Sequence, residues 1–241
     1  MFRLLFLIAL LQFHQPVFST EDTVSQAVAR YLTRIHKYME DEDWINAKRE
    51  LEVTARRYFK NEDSYERALI NQLYGQFYAL QRDYKNAIPW FEKAIAKGRL
   101  PFAADLQVSY SLAQCYFQTG RYKDVIETLE NYRDKASKRG QNMAPIQLML
   151  LGIAYYQEQD TLNAYLNIAE ANATATKLNE EWLQYEFALA VKLEKYDDAV
   201  RVGQFLIFVN PEKKSYWKQL SGVYYGSESV SYTHLTLPTT I

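Results

Sequence analysis

The sequence is poor in the residues that bind metals, form disulfides and build tight turns. Its 241 residues include one cysteine, three histidines, eight glycines and six prolines. A single cysteine excludes a disulfide framework within the chain and a cysteine-based zinc module. The shortage of glycine and proline excludes collagen-like and low-complexity chains, and it argues against an all-β fold, which needs many turns.

The sequence also lacks an excess of charge of either sign. Lysine and arginine total 28 and aspartate and glutamate total 29, so the net charge is −1. This balance gives no basic surface of the kind that binds nucleic acid. A hydrophobic fraction of 48% excludes an intrinsically disordered chain. What the sequence has in quantity is tyrosine, with 20 residues, and its composition favours a helical protein.

The N-terminus has the pattern of a secretory signal. Met1-Phe2-Arg3 precedes the apolar run 4–11, and Ser19 offers a small residue for cleavage. The run is shorter than the roughly 20 residues that a spanning helix needs. We therefore predict a signal peptide over residues 1–19 and a mature protein that begins at Thr20 outside the cytoplasm. The alternative is an uncleaved amphipathic or anchoring segment.

The C-terminal segment 229–241 breaks the composition of the preceding chain. Its residues Ser-Val-Ser-Tyr-Thr-His-Leu-Thr-Leu-Pro-Thr-Thr resemble the translation of a sequencing adapter. We interpret the segment as an artefact that follows a natural chain truncated near Glu228, and such segments are excluded from fold reasoning. The alternative is a genuine terminal tail with β propensity.

Between these ends, over residues 20–228, one short pattern recurs. It consists of an aromatic residue, two further residues, a small residue, and apolar residues four and seven positions later. The clearest copy is Tyr84, Ala87, Phe91 and Ala94, preceded by Gly75 and Tyr78. The matching small or apolar positions of all copies are Ala47, Ala87, Val125, Ala164 and Ala199, which are 40, 38, 39 and 35 residues apart.

This pattern resembles the tetratricopeptide repeat, a helix pair of about 34 residues. The resemblance implies an all-α fold, an α-solenoid in which about five helix pairs and the first helix of a sixth stack into a right-handed superhelix. Small residues such as Gly75 and Ala87 are expected to face each other where the helices of a pair cross, with Tyr78 and Phe91 beside the crossing. Ile35 and Phe187 occupy the small-residue position in the first and fifth copies, so these pairs are expected to cross differently.

The sequence holds no pattern of catalytic or metal-binding residues. His36 is the one histidine outside the two end segments, and the chain has no nucleophile-elbow, glycine-rich phosphate-loop or zinc-protease motif. We predict no enzyme activity, no cofactor, no metal site and no small-molecule substrate.

The acidic run 40–43 is interpreted as helix capping, with cation binding as the alternative. Asn172 begins a glycosylation sequon, but it lies on a predicted helix.

A partner is expected on the concave face, which the first helix of each pair lines. Amide and aromatic side chains there suit a peptide, and no Lys/Arg clamp for a carboxylate or phosphate is present. The alternative is that the aromatic members pack between neighbouring pairs. The predicted partner-binding residues are Gln72, Gln76, Gln107, Tyr110, Gln114, Phe117, Met149, Ile153, Tyr156 and Gln184.

Three segments of the chain, 83–88, 98–101 and 216–224, carry a more specific pattern, and the last of them, Tyr-Trp-Lys-Gln-Leu-Ser-Gly-Val-Tyr, is the most specific. On these segments the chain resembles, from about Asp83 to Tyr225, a narrower family of secreted tetratricopeptide proteins described as components of the TonB system. It implies a bacterial periplasmic scaffold, not an integral membrane protein after signal cleavage, whose partners include TonB motor components. The alternative is an envelope-assembly or cell-wall adaptor on the same repeat.

Overall fold

A computed structural model describes residues 26–58 and 64–235 of the chain. The predicted signal peptide lies outside the described residues. Within them the structure has eleven α-helices and no strand, which confirms the all-α fold class. The chain divides into two compact units, unit 1 ending at Val108 and unit 2 beginning at Ser109, both within the fifth helix.

Unit 1 contains the first four helices and the beginning of the fifth. α1 packs against α2, α2 against α3, and α3 against α4, so each of the first three helices contacts the next one along the chain. A core of aliphatic and aromatic residues on α1, α2 and α3 includes Ile35, Leu51 and Phe77. The helices are α1 (Gln26–Glu40), α2 (Trp44–Tyr58), α3 (Tyr65–Leu80), α4 (Tyr84–Ile95) and α5 (Phe102–Gln118).

Unit 2 repeats this arrangement. α6 packs on α7, α8 on α9, and α10 on both α9 and α11, while α7 and α8 form a tight pair. The helix α11 continues to Leu235, so the backbone of 229–235, the beginning of the suspected artefact, is helical. The helices are α6 (Tyr122–Ser137), α7 (Pro145–Gln157), α8 (Thr161–Thr174), α9 (Glu180–Lys192), α10 (Tyr196–Val209) and α11 (Lys214–Leu235).

The predicted register of the repeat is confirmed by burial. The five matching positions on the second helices, Ala47, Ala87, Val125, Ala164 and Ala199, each have 0% exposed surface. Five residues before each of them the backbone has positive φ, at Glu42, Arg82, Gly120, Gln159 and Glu194. At each of these turns the residue with positive φ and the next residue donate their N–H groups to carbonyls of the first helix, as Arg82 and Asp83 do to Ala79 and Tyr78. Such bonds satisfy the last carbonyls of that helix and end it at the same point in every repeat.

Three of the second helices begin with the same cap. Asp43, Asp83 and Asp160 each accept a hydrogen bond from the backbone N–H three residues on, at 3.1, 3.4 and 3.1 Å. Each carboxylate also accepts from the asparagine side chain at that position, 2.5 to 2.8 Å away. These hydrogen bonds hold the pKa of Asp43 below its usual value. The capping interpretation of the acidic run 40–43 is thus the one that the structure shows.

Two glycines let the helices of a pair approach closely. A Cβ added at Gly75 would lie 2.5 Å from the ring of Phe91, and one added at Gly152 would lie 2.6 Å from Ile168. The large residue four positions after the buried alanine therefore fills the space above each glycine. In the second pair the nearest atoms all belong to Phe91 rather than to Ala87, because an aromatic ring reaches further across the crossing than a methyl group.

The fifth pair makes the same contact, but the large and the small residue are exchanged between its two helices. Phe187 lies twelve residues before Ala199, where the second pair has Gly75, and Gly203 lies four residues after it, where the second pair has Phe91. A Cβ at Gly203 would lie 3.1 Å from the Phe187 ring and 3.0 Å from Leu220. The expected difference in the crossing of this pair is thus an exchange of the large and the small residue between α9 and α10. The sequence analysis did not single out Gly203.

A buried polar group links three helices of unit 2. The carboxylate of Glu186 on α9, with 1% of its side chain exposed, accepts hydrogen bonds from Arg201 on α10 and Asn172 on α8, each at 2.8 Å. The Glu186 carboxylate is thus fully hydrogen-bonded, as a buried carboxylate requires. Because the Asn172 amide is engaged in this contact, glycosylation at the sequon would break it.

Candidate functional site

The candidate partner-binding surface is defined by position within the repeat. Except for Gln107, the predicted residues lie 15, 11 or 8 positions before the buried residue of the second helix, and we call these three positions the first-helix face. In unit 1 the face consists of Gln72, Gln76 and Ala79 on α3. In unit 2 it consists of Tyr110, Gln114 and Phe117 on α5, Met149, Ile153 and Tyr156 on α7, and Gln184, Ala188 and Val191 on α9.

In unit 1 this face carries two glutamine side chains. Gln76 is 3% exposed and Gln72 is half-buried, and the side-chain oxygen of each is buried without a hydrogen-bond partner among the described residues. An unpaired buried acceptor costs free energy. Because Gln76 is buried, only the half-buried Gln72 lies within reach of a partner on this part of the face. Gln107, which the sequence also predicted, is half-buried at the end of unit 1 and has a polar contact.

In unit 2 the α5 part of the face is aromatic and half-buried. The Tyr110 hydroxyl hydrogen-bonds to Gln114, and burial raises the pKa of Tyr110 to about 12, so the hydroxyl stays protonated. Phe117 contacts Tyr122 on α6 edge-to-face, with 5.5 Å between ring centroids. These side chains combine apolar area with hydrogen-bonding groups, as peptide-binding surfaces do.

The three residues of the face on α7 differ in how far they are buried. Met149 and Ile153 are 1% and 2% exposed, whereas Tyr156, one turn further on, is 43% exposed. The structure places Met149 and Ile153 in the core of unit 2 rather than on an open surface, because α7 packs between other helices along most of its length. A partner can therefore reach α7 at Tyr156 but not at these two residues.

Tyr156 meets a tyrosine that the sequence analysis did not predict. Its ring contacts that of Tyr185 on α9 edge-to-face, with centroids 6.5 Å apart. Gln184, which was predicted, is half-buried beside Tyr185, and Val191 on the same helix is 37% exposed. Tyr156 and Tyr185 thus form an accessible aromatic pair between the first helices of two successive repeats. Tyr185 lies outside the repeat positions of the face, so the register alone gave no signal for it.

The remaining chemistry of the described residues is sparse. They hold no group of three or more His, Cys, Asp or Glu side chains arranged to bind a metal ion. Cys115 is buried, and burial raises the pKa of its thiol to about 12, which keeps it in the unreactive protonated form. Across the same part of the chain, the helices all fall short of the length and apolar character needed to cross a membrane.

Comparison with known proteins agrees with this architecture. Residues 80–141, about a quarter of the chain, match the family model described as anaphase-promoting complex, cyclosome, subunit 3. No curated protein sequence matches the chain at a significant level.

The solved structures that resemble the chain include tetratricopeptide proteins. One from Parabacteroides merdae is 15% identical, covering 83% of this chain and 73% of its own, with a TM-score of 0.59. YrrB, described as a tetratricopeptide protein with an unusual peptide-binding site, is 13% identical over 78% of this chain and 89% of its own, with a TM-score of 0.60. MamA from Desulfovibrio magneticus is 17% identical over 86% and 98%, with a TM-score of 0.57.

The chain therefore has the tetratricopeptide-repeat fold, an all-α solenoid architecture of consecutive helix pairs. This fold is typically a non-catalytic scaffold for protein partners. At these levels of identity the likeness concerns the fold alone. The absence of enzyme activity stays a prediction, because one fold can carry many functions.

Proposed function

We propose that the protein is a periplasmic scaffold that binds a protein partner through the first-helix face of unit 2 and assists TonB-dependent energy transduction. The observation that carries the binding role is the accessible aromatic pair of Tyr156 and Tyr185 on successive first helices. Tyrosine is among the residue types that supply much of the binding energy in protein interfaces. The tetratricopeptide fold supports the same conclusion, since its stacked pairs present an extended surface for partners.

The chemistry of the face supports a peptide as the ligand. Tyr110 and Gln114 offer a hydroxyl and an amide, Phe117 and Tyr156 offer apolar area, and none of these four side chains is charged. Recognition would then depend on surface shape and hydrogen bonds to the peptide backbone. The side chains of Met149 and Ile153 support the face from beneath and would not contact the partner.

The cellular role rests on the sequence. The segment 216–224 resembles the secreted proteins described as components of the TonB system, and residues 1–19 have the pattern of a signal peptide. A periplasmic location would put the scaffold where TonB motor components meet outer-membrane transporters. Fusion of residues 1–25 to a reporter that is active only after export would test this location directly, and retention of the reporter in the cytoplasm would contradict it.

Binding can be tested with a variant that removes three aromatic rings from the face. Replacing Tyr110, Phe117 and Tyr156 together by alanine is expected to abolish co-purification of TonB motor components from periplasm. The matched control replaces Leu162 and Leu166, which are 51% and 50% exposed on the second helix α8, by alanine. Helicity of both variants is checked by circular dichroism.

Two results would count against the proposal. If the folded triple variant retains the partner as well as the control does, the first-helix face is not the binding surface. If the unaltered protein never co-purifies with TonB motor components, the TonB role fails while a scaffold role for another partner remains.

A further inference from the structure

A second open surface lies in unit 1, between α2 and the end of α3. It is a groove of about 540 Å³, lined by Trp44, Ile45, Lys48, Arg49, Glu52, Phe77 and Gln81. The volume falls within the range of sites that hold small ligands or one or two side chains of a peptide. The groove lies on a different side of α3 from Gln72 and Gln76, so it is separate from the first-helix face.

The floor of the groove is aromatic. Phe77 is 4% exposed, and Trp44 contacts its ring edge-to-face with 6.0 Å between centroids. Ile45, at the lip, is 82% exposed although the neighbouring core positions of α2, Ala47 and Leu51, are fully buried. An aliphatic side chain so exposed next to a partly open indole ring forms an apolar anchor point rather than a scattered surface residue.

The far end of the groove is cationic. Lys48 and Arg49 are exposed, and within the part of the chain that the structure describes no ion pair or hydrogen bond engages the Lys48 ammonium. The Arg49 guanidinium donates to the side-chain oxygen of Asn46 at 2.6 Å, which holds it at the rim. Glu52, the one acid in the lining, lies 3.9 Å from Arg56 one turn further along α2. The rim therefore has two cationic side chains, Lys48 and Arg49, and one acidic side chain, Glu52, which is already paired.

The charges also give the groove a direction. The acidic turn 40–43 precedes Trp44, so a bound carboxylate would be repelled at that end and attracted at the Lys48 end. An occupant with an apolar side chain against Trp44 and Phe77 and carboxylates beside Lys48 and Arg49 would complement both halves.

We propose that this groove binds an acidic peptide segment of a protein partner, with one aromatic or aliphatic side chain of that segment inserted between Trp44, Ile45 and Phe77. A nucleic acid is disfavoured because it requires an extended basic surface, whereas this chain has a net charge of −1. A lipid surface is disfavoured because the apolar part of the lining is limited to Trp44, Ile45 and Phe77. The proposal does not depend on the function proposed above, since the two surfaces share no residue.

The test uses a synthetic, fluorescently labelled peptide in which one Phe is flanked by glutamates, titrated with the full chain. Comparison peptides carry Lys in place of Glu, or Ser in place of Phe. The expected result is that the first peptide binds more tightly than either comparison peptide. Raising the salt concentration should weaken its binding, because surface charge interactions are screened.

Matched variants locate the binding. Lys48→Glu with Arg49→Glu is expected to weaken binding about tenfold, since two favourable contacts become repulsive. Ile45→Ser is expected to weaken it by a smaller factor. The control, Lys85→Glu with Lys97→Glu, makes the same charge change at two exposed positions of unit 1 outside the groove and should leave the affinity within about twofold. Thermal melting followed by circular dichroism confirms that each variant is folded.

Several outcomes would overturn the proposal. One is failure of the acidic peptide to bind, and another is equal binding by the groove variants and the control. A third is that phosphatidylglycerol vesicles or a DNA oligonucleotide bind, with the same dependence on Lys48 and Arg49, while the peptide does not. Loss of peptide binding in the groove variants with the first-helix face intact would support it independently of any TonB partner.

Discussion

At the scale of single residues, Gly75 permits a close approach between the two helices of the second pair. The ring of Phe91 occupies the space that any side chain at position 75 would need, and the nearest ring atom lies 2.5 Å from an added Cβ. Phe91 is itself 1% exposed and cannot turn away into solvent. The crossing of α3 and α4 therefore depends on the absence of a single methyl group.

We predict that Gly75→Ala lowers the free energy of unfolding by about 1–3 kcal/mol, because the new methyl group overpacks the crossing. The measurement is urea denaturation. Gly222→Ala is the matched control, because an added Cβ at that position meets no atom within 4 Å. The control should be neutral or stabilising by up to about 1 kcal/mol, as expected for Gly→Ala within a helix. Equal effects of the two substitutions would contradict the packing account.

His36 makes the stability of unit 1 sensitive to pH. Burial lowers the pKa of its imidazole below the ordinary value of 6.5, and the nearby carboxylate of Glu40 offsets this only in part. The unfolded chain therefore takes up the proton at higher pH than the folded chain does. Stability is highest with His36 neutral and falls as the pH drops through about 6.5 toward the folded-state pKa.

We accordingly expect the free energy of unfolding to decrease between pH 7.5 and about pH 5, and we expect His36→Gln to reduce this decrease. Urea denaturation at a series of pH values provides the measurement. The quantity to compare is the slope of the free energy of unfolding against pH. The substitution also changes packing, which shifts the free energy of unfolding at every pH without changing this slope. A variant with the same slope as the unaltered chain would show that other groups cause the pH dependence.

At the scale of helices, the second and fifth pairs fill their crossings with the same two residue types in exchanged positions. Gly75 with Phe91 and Phe187 with Gly203 place one ring and one glycine at the same pair of positions in opposite order. The first pair differs, because Ile35 and Leu51 place two large and fully buried side chains there. Helix pairs therefore tolerate exchange between the two positions as long as their combined volume fits the space.

A double-mutant cycle tests this exchange. Phe187→Ala alone should destabilise the chain by about 3–5 kcal/mol through the cavity that it leaves. Gly203→Leu alone should destabilise it by about 1–3 kcal/mol through overpacking against Phe187 and Leu220. Together they should cost less than the sum of the two by about 0.5–3 kcal/mol, because the leucine fills the cavity. Strict additivity in chemical denaturation would show that the two positions do not share one space.

At the scale of the whole molecule, the last two helices of unit 2 expose several large apolar side chains. Phe208 on α10 is 78% exposed, and Trp217 and Tyr225 on α11 are 55% and 75% exposed. Each helix pair of a solenoid covers one face of its neighbour, and terminal pairs normally carry a polar outer face. Large exposed apolar patches favour association.

We expect the chain to self-associate in a concentration-dependent manner, measurable by sedimentation velocity. Replacing Phe208 and Tyr225 by serine should shift the distribution toward monomer. Replacing Leu162 and Leu166, which are also exposed but lie on α8, by serine serves as the control and should have a smaller effect. A monomer at all concentrations, or equal shifts in the two variants, would contradict the expectation.

The sequence by itself determined the helical class and the register of the repeat. Both depend on local periodicity, since an apolar stripe and a small residue at a crossing recur at spacings that a helix imposes. This is why all five matching positions, from Ala47 to Ala199, proved fully buried. The capping role of Asp43 is local in the same sense, because its partner lies only three residues away.

Only the tertiary structure decided which of the predicted contact residues a partner can reach. Met149, Ile153 and Tyr156 occupy successive turns of one face of α7, yet only Tyr156 is exposed, because exposure depends on the neighbouring helices and not on α7 itself. The tyrosine pair with Tyr185 and the groove above Phe77 arise between helices that the repeat pattern treats separately. Periodicity orders residues along one helix, whereas accessibility is set by the distance and angle between helices.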